Sequence, residues 1–493
     1  MNWIRRCETW LAAGGGVLAA LSMPGFGAAP LVFVALVPLL LALDRGRGFL
    51  HGYLFGVAFF AVDMRWVLTL IRFNPLVVPG YLVLVAYLAV PFGIIGWLMM
   101  KRSSQSRRWT WIFLAPALVV LAEFVRTLGP LGTGFSMLHQ ALYRVPWLIQ
   151  PAAILGSWSV TASIVAVNAA VFLAYRERRA RYVLVGVLLL LVQAAFWWLP
   201  AGSAGGLPAL EVAVVSSNVD QEVKLDARNL DRLAERLLRL GEKAAEGDPD
   251  LIVFPESFLP AYILELDDLF ARLTELARIG EARLLFGTGD HRDGAIFNST
   301  ILIDPEGRVL GTYDMVRPVP FGEYIPGRSI LEAVGLGPWA RSFLPLDLSR
   351  GGAYESLDGI GTPICFESTF PTASRRFSQA GASLLVTVTN DAWFAGSSEL
   401  RAHFATAIFR AVENRRPIVQ AANGGISGIV DPRGRIVSKT PEETVLVGTV
   451  APVDARSVYT RWGDGPWIAA MALIAGGILA VRWWPRRTRR NGE

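Results

Sequence analysis

The sequence predicts a helical membrane bundle of about eight spans with a folded α/β domain inserted before the last one. Three observations carry this reading: an apolar composition, loops whose basic residues alternate from side to side, and a change of periodicity near Ser203. The chain has 493 residues, 53% of them hydrophobic, and a mean hydropathy of +0.41. That is too apolar for one ordinary soluble fold and long enough for several domains.

A helical span needs about 20 mostly apolar residues. Such stretches run over 10–23, 49–71, 79–100, 109–125, 158–175, 182–199 and 466–484, with a shorter eighth at 31–43. Positively charged loops stay cytoplasmic. With eight spans, one side collects Arg5 and Arg6, Arg45 and Arg47, Lys101, Arg102, Arg107 and Arg108, Arg176 to Arg181, and the basic tail from Arg482 to Arg490. The other side holds only Arg72, Arg126 and Arg144. Both termini are therefore expected in the cytoplasm and the insert on the outer face; without the short second span the alternation breaks. The apolar run after Arg5 and Arg6 is read as a retained span, because further spans follow at once and Leu21-Ser22-Met23 lacks a small-x-small cleavage pattern.

The net charge of +6 divides unevenly, since residues 201–463 hold 26 basic and 34 acidic side chains. The basic balance thus belongs to the membrane part and marks topology, with no nucleic-acid partner implied. From Ser203 to Trp462 short β-branched runs alternate with turns and amphipathic helices. Strands are expected at 211–216, 251–254, 283–287, 299–303, 308–313, 361–366, 384–388 and 418–422, with helices around Leu230–Leu240 and over 404–414. Two near-identical turns, Asp304-Pro305-Glu306-Gly307-Arg308 and Asp431-Pro432-Arg433-Gly434-Arg435, suit hairpins with glycine at positive φ. The domains expected are 1–202, 203–462 and 463–493.

Only two cysteines occur, and the topology separates Cys7 from Cys365. Cys365 closes an apolar run, Thr362-Pro363-Ile364-Cys365-Phe366-Glu367-Ser368, and reads either as a nucleophile at a sheet edge or as a small buried core residue. Glu256, in Leu251-Ile252-Val253-Phe254-Pro255-Glu256-Ser257, reads as a general base raised by apolar neighbours or as a helix N-terminal acid. Glu323 in Pro320-Phe321-Gly322-Glu323-Tyr324 would by itself pass for a solvated loop acid. Four histidines in the whole chain give poor support to a Ser/His/Asp triad or a zinc cluster, and Gly424-Gly425 reads as a turn.

Taken together, Phe254-Pro255-Glu256, Pro320-Phe321-Gly322-Glu323-Tyr324, Cys365-Phe366-Glu367, Thr389-Asn390-Asp391-Ala392-Trp393-Phe394, Arg410-Ala411-Val412-Glu413-Asn414 with Arg416-Pro417, and Asn423 to Ser427 resemble the nitrilase, or carbon-nitrogen hydrolase, superfamily. With Glu123-Phe124-Val125-Arg126 and Gly134-Phe135, the full length is similar to the apolipoprotein N-acyltransferase family. That resemblance implies an αββα sandwich, with Cys365 as nucleophile, Glu256 as general base and Glu323 as a supporting glutamate. Phe366, Glu367, Asn390, Trp393 and Asn423 would bind substrate or shape the site. It further implies a phospholipid acyl donor, a diacylglyceryl-modified lipoprotein acceptor, a multi-pass place in the bacterial inner membrane with the insert periplasmic, and no metal or soluble cofactor.

The chain departs from the family pattern where a catalytic lysine is expected, eight residues before Glu323. Tyr313-Asp314-Met315-Val316-Arg317 places Met315 there, with neither charge nor donor. Loss of one oxyanion donor typically costs about 10² to 10³ in rate. Arg317 would share the face of Met315 if the strand were regular, making it the first substitute to consider. A milder departure is Leu225, where the family often has an aromatic after its Asn-x-x-Gln segment, here Asn218-Val219-Asp220-Gln221. Met315 is compatible with a laboratory substitution, a homologue of no or altered activity, or an active enzyme with a relocated cation. A lipid-binding scaffold and a membrane amidase remain as competing readings of the chain.

Overall fold

The computed structural model describes residues 2–44, 48–100, 110–200 and 207–483. Arg45, Arg47, Lys101, Arg102, Arg107, Arg108, the basic residues from Arg486 on, the side chains of Arg5, Arg6 and Cys7, and the expected boundary at 202/203 lie outside the described residues. Five described helices are long and apolar enough to cross a membrane: Gly48–Arg72, Val77–Met99, Trp158–Glu177, Arg181–Trp198 and Gly465–Trp483.

The expected short span at 31–43 is broken into a 3₁₀ turn, Ala29–Phe33, and a helix, Val37–Asp44. Asn168, buried in Trp158–Glu177, repairs the break by accepting from Leu36 N at 2.9 Å and donating to Val32 O at 2.8 Å. In an apolar surrounding those backbone groups would otherwise be left unpaired. A second irregularity follows the helix Gly48–Asp63, which tightens into a 3₁₀ helix over Met64–Arg72. That tightened end faces the α/β domain, where the Arg72 guanidinium donates to Ala392 O at 2.8 Å.

The α/β domain stacks two sheets. One has the order β11-β1-β2-β3-β4-β5, built from β1 (Leu210–Ser216), β2 (Leu251–Val253), β3 (Arg283–Arg292), β4 (Ala295–Ile303), β5 (Val309–Asp314) and β11 (Thr444–Val450). The other runs β10-β9-β8-β7-β6, from β6 (Ile360–Gly361), β7 (Leu384–Asn390), β8 (Ile418–Asn423), β9 (Ser427–Val430) and β10 (Ile436–Thr440). Alternation along the strands explains the layering. On β1, Ala213 and Val215 pack with Leu233, Leu237 and Leu273 of the helices Leu230–Ala245 and Asp267–Ile279. Val212 and Val214 turn inward to the core shared with Leu385 and Val419 of the second sheet, which the helix Glu399–Asn414 covers with Phe404, Ile408 and Val412. The result is the expected αββα sandwich.

Both Asp-Pro-x-Gly-Arg turns close hairpins, with φ of +79° at Gly307 and at Gly434. Asp304 and Asp431 each accept from two backbone N–H groups of their own turn. Two further expectations are corrected. Strand β3 continues to Arg292 and joins β4 through Asp293-Gly294, both at positive φ, so this hairpin is longer than the apolar run alone predicted. The strand expected at 361–366 shrinks to Ile360–Gly361, because Pro363 has no N–H to give a ladder and Cys365 turns to a φ of +46°.

Candidate active site

Cys365 opens a 3₁₀ turn, Cys365–Thr369, just beyond an isolated bridge from Ile364 to Val388. A positive φ at a non-glycine residue is strained and persists only where its surroundings over-determine it. Here the surroundings are His403 and Thr389. His403 Nε2 lies 3.1 Å from the Cys365 carbonyl oxygen and 2.9 Å from Ser368 Oγ, and its Nδ1 lies 2.9 Å from Asp391 Oδ1. The Thr389 hydroxyl sits 3.4 Å from Cys365 Sγ and donates to Asp391 Oδ1 at 2.5 Å. Burial opposes charge on His403, yet the Asp391 and Glu399 carboxylates and the Cys365 carbonyl raise its pKa to about 9. Asp391, Glu399 and His403 group closely enough to hold a metal ion; His403 as a cation spends its N–H groups on Asp391 and the cysteine turn.

Facing the thiol from the other sheet is Glu256, 6% exposed, at the end of β2. Its Oε1 accepts from Asn298 Nδ2 at 2.6 Å and its Oε2 from Asn390 N at 2.7 Å. Gly287 on β3 permits this placement, since a Cβ there would stand 2.6 Å from Glu256 Cα. Asn298 also donates to Glu323 Oε1 at 3.0 Å, while Glu323 Oε2 accepts from Val319 N at 2.6 Å. Glu323 is therefore a half-buried member of the site and no solvated loop acid. Burial raises the Glu256 carboxyl, moderated by bonds from Asn298 and the cysteine. Burial and then the charge of Glu256 lift Glu323 to about 7. Burial followed by the nearby carboxylates holds the thiol well above its usual range.

The remaining expected residues divide. Asn423 Nδ2 donates to Asn390 Oδ1 at 2.8 Å, and Asn423 Oδ1 accepts from Ser217 Oγ and Val219 N, so the pair ties the site ends of the two sheets. Glu367, lifted to about 7 by burial, accepts from Tyr313, Val316, Arg317 and Ile364 and fastens the segment after β5 to the cysteine turn. Phe366 and Trp393 face the membrane helices: the Phe366 ring lies 6.4 Å from Phe135, and Trp393 packs edge-on against Phe73 at 5.0 Å. Phe135 is itself held by Arg126, which donates to the carbonyls of Phe135 and Ser136 at 2.9 Å. Glu123 accepts from Leu138 N at 2.7 Å and fixes the same loop.

Met315 does stand in the site, with Sδ 3.9 Å from Asn298 Nδ2. Arg317 is no substitute. Strand β5 ends at Asp314, so the two-residue rule for a shared face lapses. The Arg317 guanidinium instead caps the Thr127 and Gly129 carbonyls at 2.6 and 3.1 Å and lies over the Phe370 ring.

Two residues escaped sequence reasoning. Asn298 bridges both glutamates; its only signal was a polar residue inside the apolar strand β4. Lys224, 3% exposed, lies on the helix Gln221–Leu225 with Nζ 3.4 Å from the Glu256 carbonyl oxygen. Its signal was rarity, as the chain has four lysines, at 101, 224, 243 and 439, among 47 basic residues. Spacing adds to it, since Gln221 and Lys224 share one helix face and are both buried, while Glu222 and Leu225 are exposed.

A domain of this fold, with Glu256 and Cys365 just past strand ends and Glu323 in a turn beside them, defines the class: residues 212–460 match the carbon-nitrogen hydrolase family, here carried on membrane helices whose residues 15–170 match the apolipoprotein N-acyltransferase N-terminal domain. Among curated relatives, an apolipoprotein N-acyltransferase of Geobacter metallireducens is 35% identical over 97% of this chain and 95% of its own. Those of Gloeobacter violaceus (32%, 97% and 95%) and Thermotoga maritima (30%, 99% and 96%) extend over similar shares. The chain belongs to the apolipoprotein N-acyltransferase family. Membership favours a membrane acyltransferase over the scaffold and amidase readings.

Proposed function

We propose that this chain transfers an acyl group from a membrane phospholipid to the α-amine of a diacylglyceryl-cysteine at a lipoprotein N-terminus, through a thioester on Cys365. One observation carries the reading: a strained, half-buried thiol meets two carboxyls of raised pKa, with Phe366 and Trp393 beside it packed against Phe135 and Phe73 of the membrane part. In the first half-reaction the Cys365 sulfur attacks the ester carbonyl carbon while Glu256 takes its proton. The ester C–O bond then breaks and the departing lysophospholipid oxygen takes that proton from Glu256. In the second half the acceptor amine attacks the thioester carbon, Glu256 removes an amine proton, the C–S bond breaks and the sulfur recovers the proton.

Asn298 and the Asn390 N–H hold the Glu256 carboxylate in place for both transfers. Glu323, with a pKa near 7, limits the negative charge gathered around the developing thiolate. Phe366 and Trp393 line the membrane-facing rim through which an acyl chain would arrive. In this reading the chain crosses the inner membrane eight times, both termini are cytoplasmic, and 203–462 form the periplasmic catalytic domain between the membrane domain 1–202 and the last span with its tail, 463–493.

The test is intact-protein mass after incubation with phospholipid vesicles. A hydroxylamine-labile acyl mass that disappears in Cys365→Ser, and is discharged by a diacylglyceryl-cysteine peptide, is expected. An acyl mass indifferent to Cys365, or none in any version including Met315→Lys, would overturn the reading.

A further inference from the structure

We propose that Lys224 supplies the active-site cation that Met315 cannot, its ammonium facing the oxyanion and thiolate formed at Cys365 from the helix Gln221–Leu225. The inference rests on the acyltransferase reading for its substrate and on the site geometry for the residue.

Lys224 is fixed by its helix and by both sheets. Asp220 caps the helix by accepting from Glu222 N at 2.8 Å, and Lys224 N donates to Asp220 O at 3.0 Å. On the buried face, Gln221 Oε1 accepts from Asn390 Nδ2 at 3.0 Å, and Asn390 N is the donor that holds Glu256. The preceding residue Val219 is pinned at both its N–H and its carbonyl by Asn423. The Lys224 side chain is thereby carried beside Glu256, with Nζ 3.4 Å from the Glu256 carbonyl oxygen. Its electrostatic partners there are Glu256 and Cys365, and burial with their opposing pull leaves it a pKa of about 8.

What separates Lys224 from a structural cation is its unspent donors. Arg416, equally buried, gives its guanidinium to the Ala382, Ala455 and Asp454 carbonyls at 2.7, 2.6 and 3.1 Å. Among the described residues Lys224 makes one hydrogen bond, the 3.4 Å contact to Glu256 O. An ammonium has three N–H donors, and burying a charge with so few partners is costly unless another charge is expected there. The rival cations are committed elsewhere: Arg317 to Thr127 and Gly129, and His403 to Asp391 and the carbonyl side of Cys365.

During thioester formation the lysine keeps its proton. The sulfur forms its bond to carbon, the carbonyl electron pair moves to oxygen, the Cys365 proton goes to Glu256, and the ammonium stabilises the negative oxygen until the C–O bond breaks.

The experiment uses the full chain in phospholipid nanodiscs, as parent, Lys224→Met, Met315→Lys and the double substitution. Two rates are read at pH 7.5: Cys365 thioester formed from phospholipid, and Cys365 alkylation by iodoacetamide, which needs no lipid. Lys224→Met is expected to slow thioester formation by about 10² to 10³ and to slow alkylation by about tenfold or more through a higher thiol pKa. Met315→Lys placed on top of it is expected to recover at least tenfold of each. Should Lys224→Met fail to fold, Lys224→Gln, which keeps a donor and loses the charge, makes the same comparison. Rates within about threefold of the parent, or no recovery in a folded double variant, would overturn the role of Lys224. If alkylation depends on Lys224 while no version forms a thioester from phospholipid, the cation role stands and the acyl-donor reading fails. If thioester forms equally with and without Lys224, the reverse holds.

Discussion

Two buried cations flank Cys365, and their surroundings differ. Behind the cysteine, His403 has one nitrogen 2.9 Å from Asp391 and the other shared between Ser368 and the Cys365 carbonyl. In front, Lys224 makes one hydrogen bond among the described residues, the 3.4 Å contact to the Glu256 carbonyl oxygen, with Glu256 and the thiol as its electrostatic partners. A cation whose donors are all taken holds a backbone in shape. A cation with donors to spare can answer charge that arises during a reaction. The back therefore reads as scaffold for the strained φ of Cys365, and the front as the place where protons and charge move.

The largest expected effects lie in front. Cys365→Ala should abolish the acyl-enzyme mass, and Glu256→Gln should reduce its rate by about 10² to 10⁴, with melting temperatures close to the parent's. A large melting shift in either would blur the contrast between front and back. The next effect belongs to the back: His403→Asn breaks a buried ion pair, with a cost of about 3 kcal/mol or more. It should lower the melting temperature by several degrees while iodoacetamide alkylation of Cys365 falls less than in Lys224→Met. If alkylation collapses at unchanged stability, the division into front and back is wrong.

A pH series sharpens the same contrast. Raised to about 9 in the fold from the usual 6.5, His403 contributes stability that is full below about 6.5 and is lost as pH rises through about 9. His403→Asn should flatten that part of the melting profile. Lys224, lowered to about 8, should instead write its titration into the rate, since acylation declines once the ammonium loses its proton above about pH 8. Lys224→Met should remove that alkaline limb. The titratable groups facing Lys224 are Glu256 and Cys365, so the limb is read by comparison with the variant.

Smaller effects test the supports. Gly287→Ala places a methyl 2.6 Å from Glu256 Cα; overpacking of this kind costs about 1 to 3 kcal/mol, and the acylation rate should fall roughly tenfold through displacement of the base. Arg317→Met removes two bonds to carbonyls of the membrane part. It should cost about 1 to 2 kcal/mol in stability and leave alkylation within about twofold of the parent, which a hidden catalytic role for Arg317 would not allow.

The helices of the membrane part, both Asp-Pro-x-Gly-Arg hairpins and the strands leading to Glu256 and Asn390 were legible because each is set by local pattern: apolar length, turn chemistry, or a short β-branched run. The Asp293-Gly294 hairpin was legible in principle and was hidden by the polar ends of β3 and β4, and β9 and β10 by their short, half-polar character. Composition and motif thus determined by themselves that this is a membrane-borne α/β domain, and family resemblance named Cys365, Glu256 and Glu323 as its expected reactive set. Which neighbours complete that set was decided only by the tertiary structure. Lys224 is 91 residues from Met315 in sequence, and Asn298 carries no motif; they meet at Glu256 because two sheets stack and the segment after β1 is stitched to the end of β8. Arg317 shows the converse, since its nearness in sequence to Met315 counted for nothing once β5 ended at Asp314. Local sequence fixes backbone periodicity, whereas the charge a buried group feels depends on what the whole fold brings within a few ångströms of it.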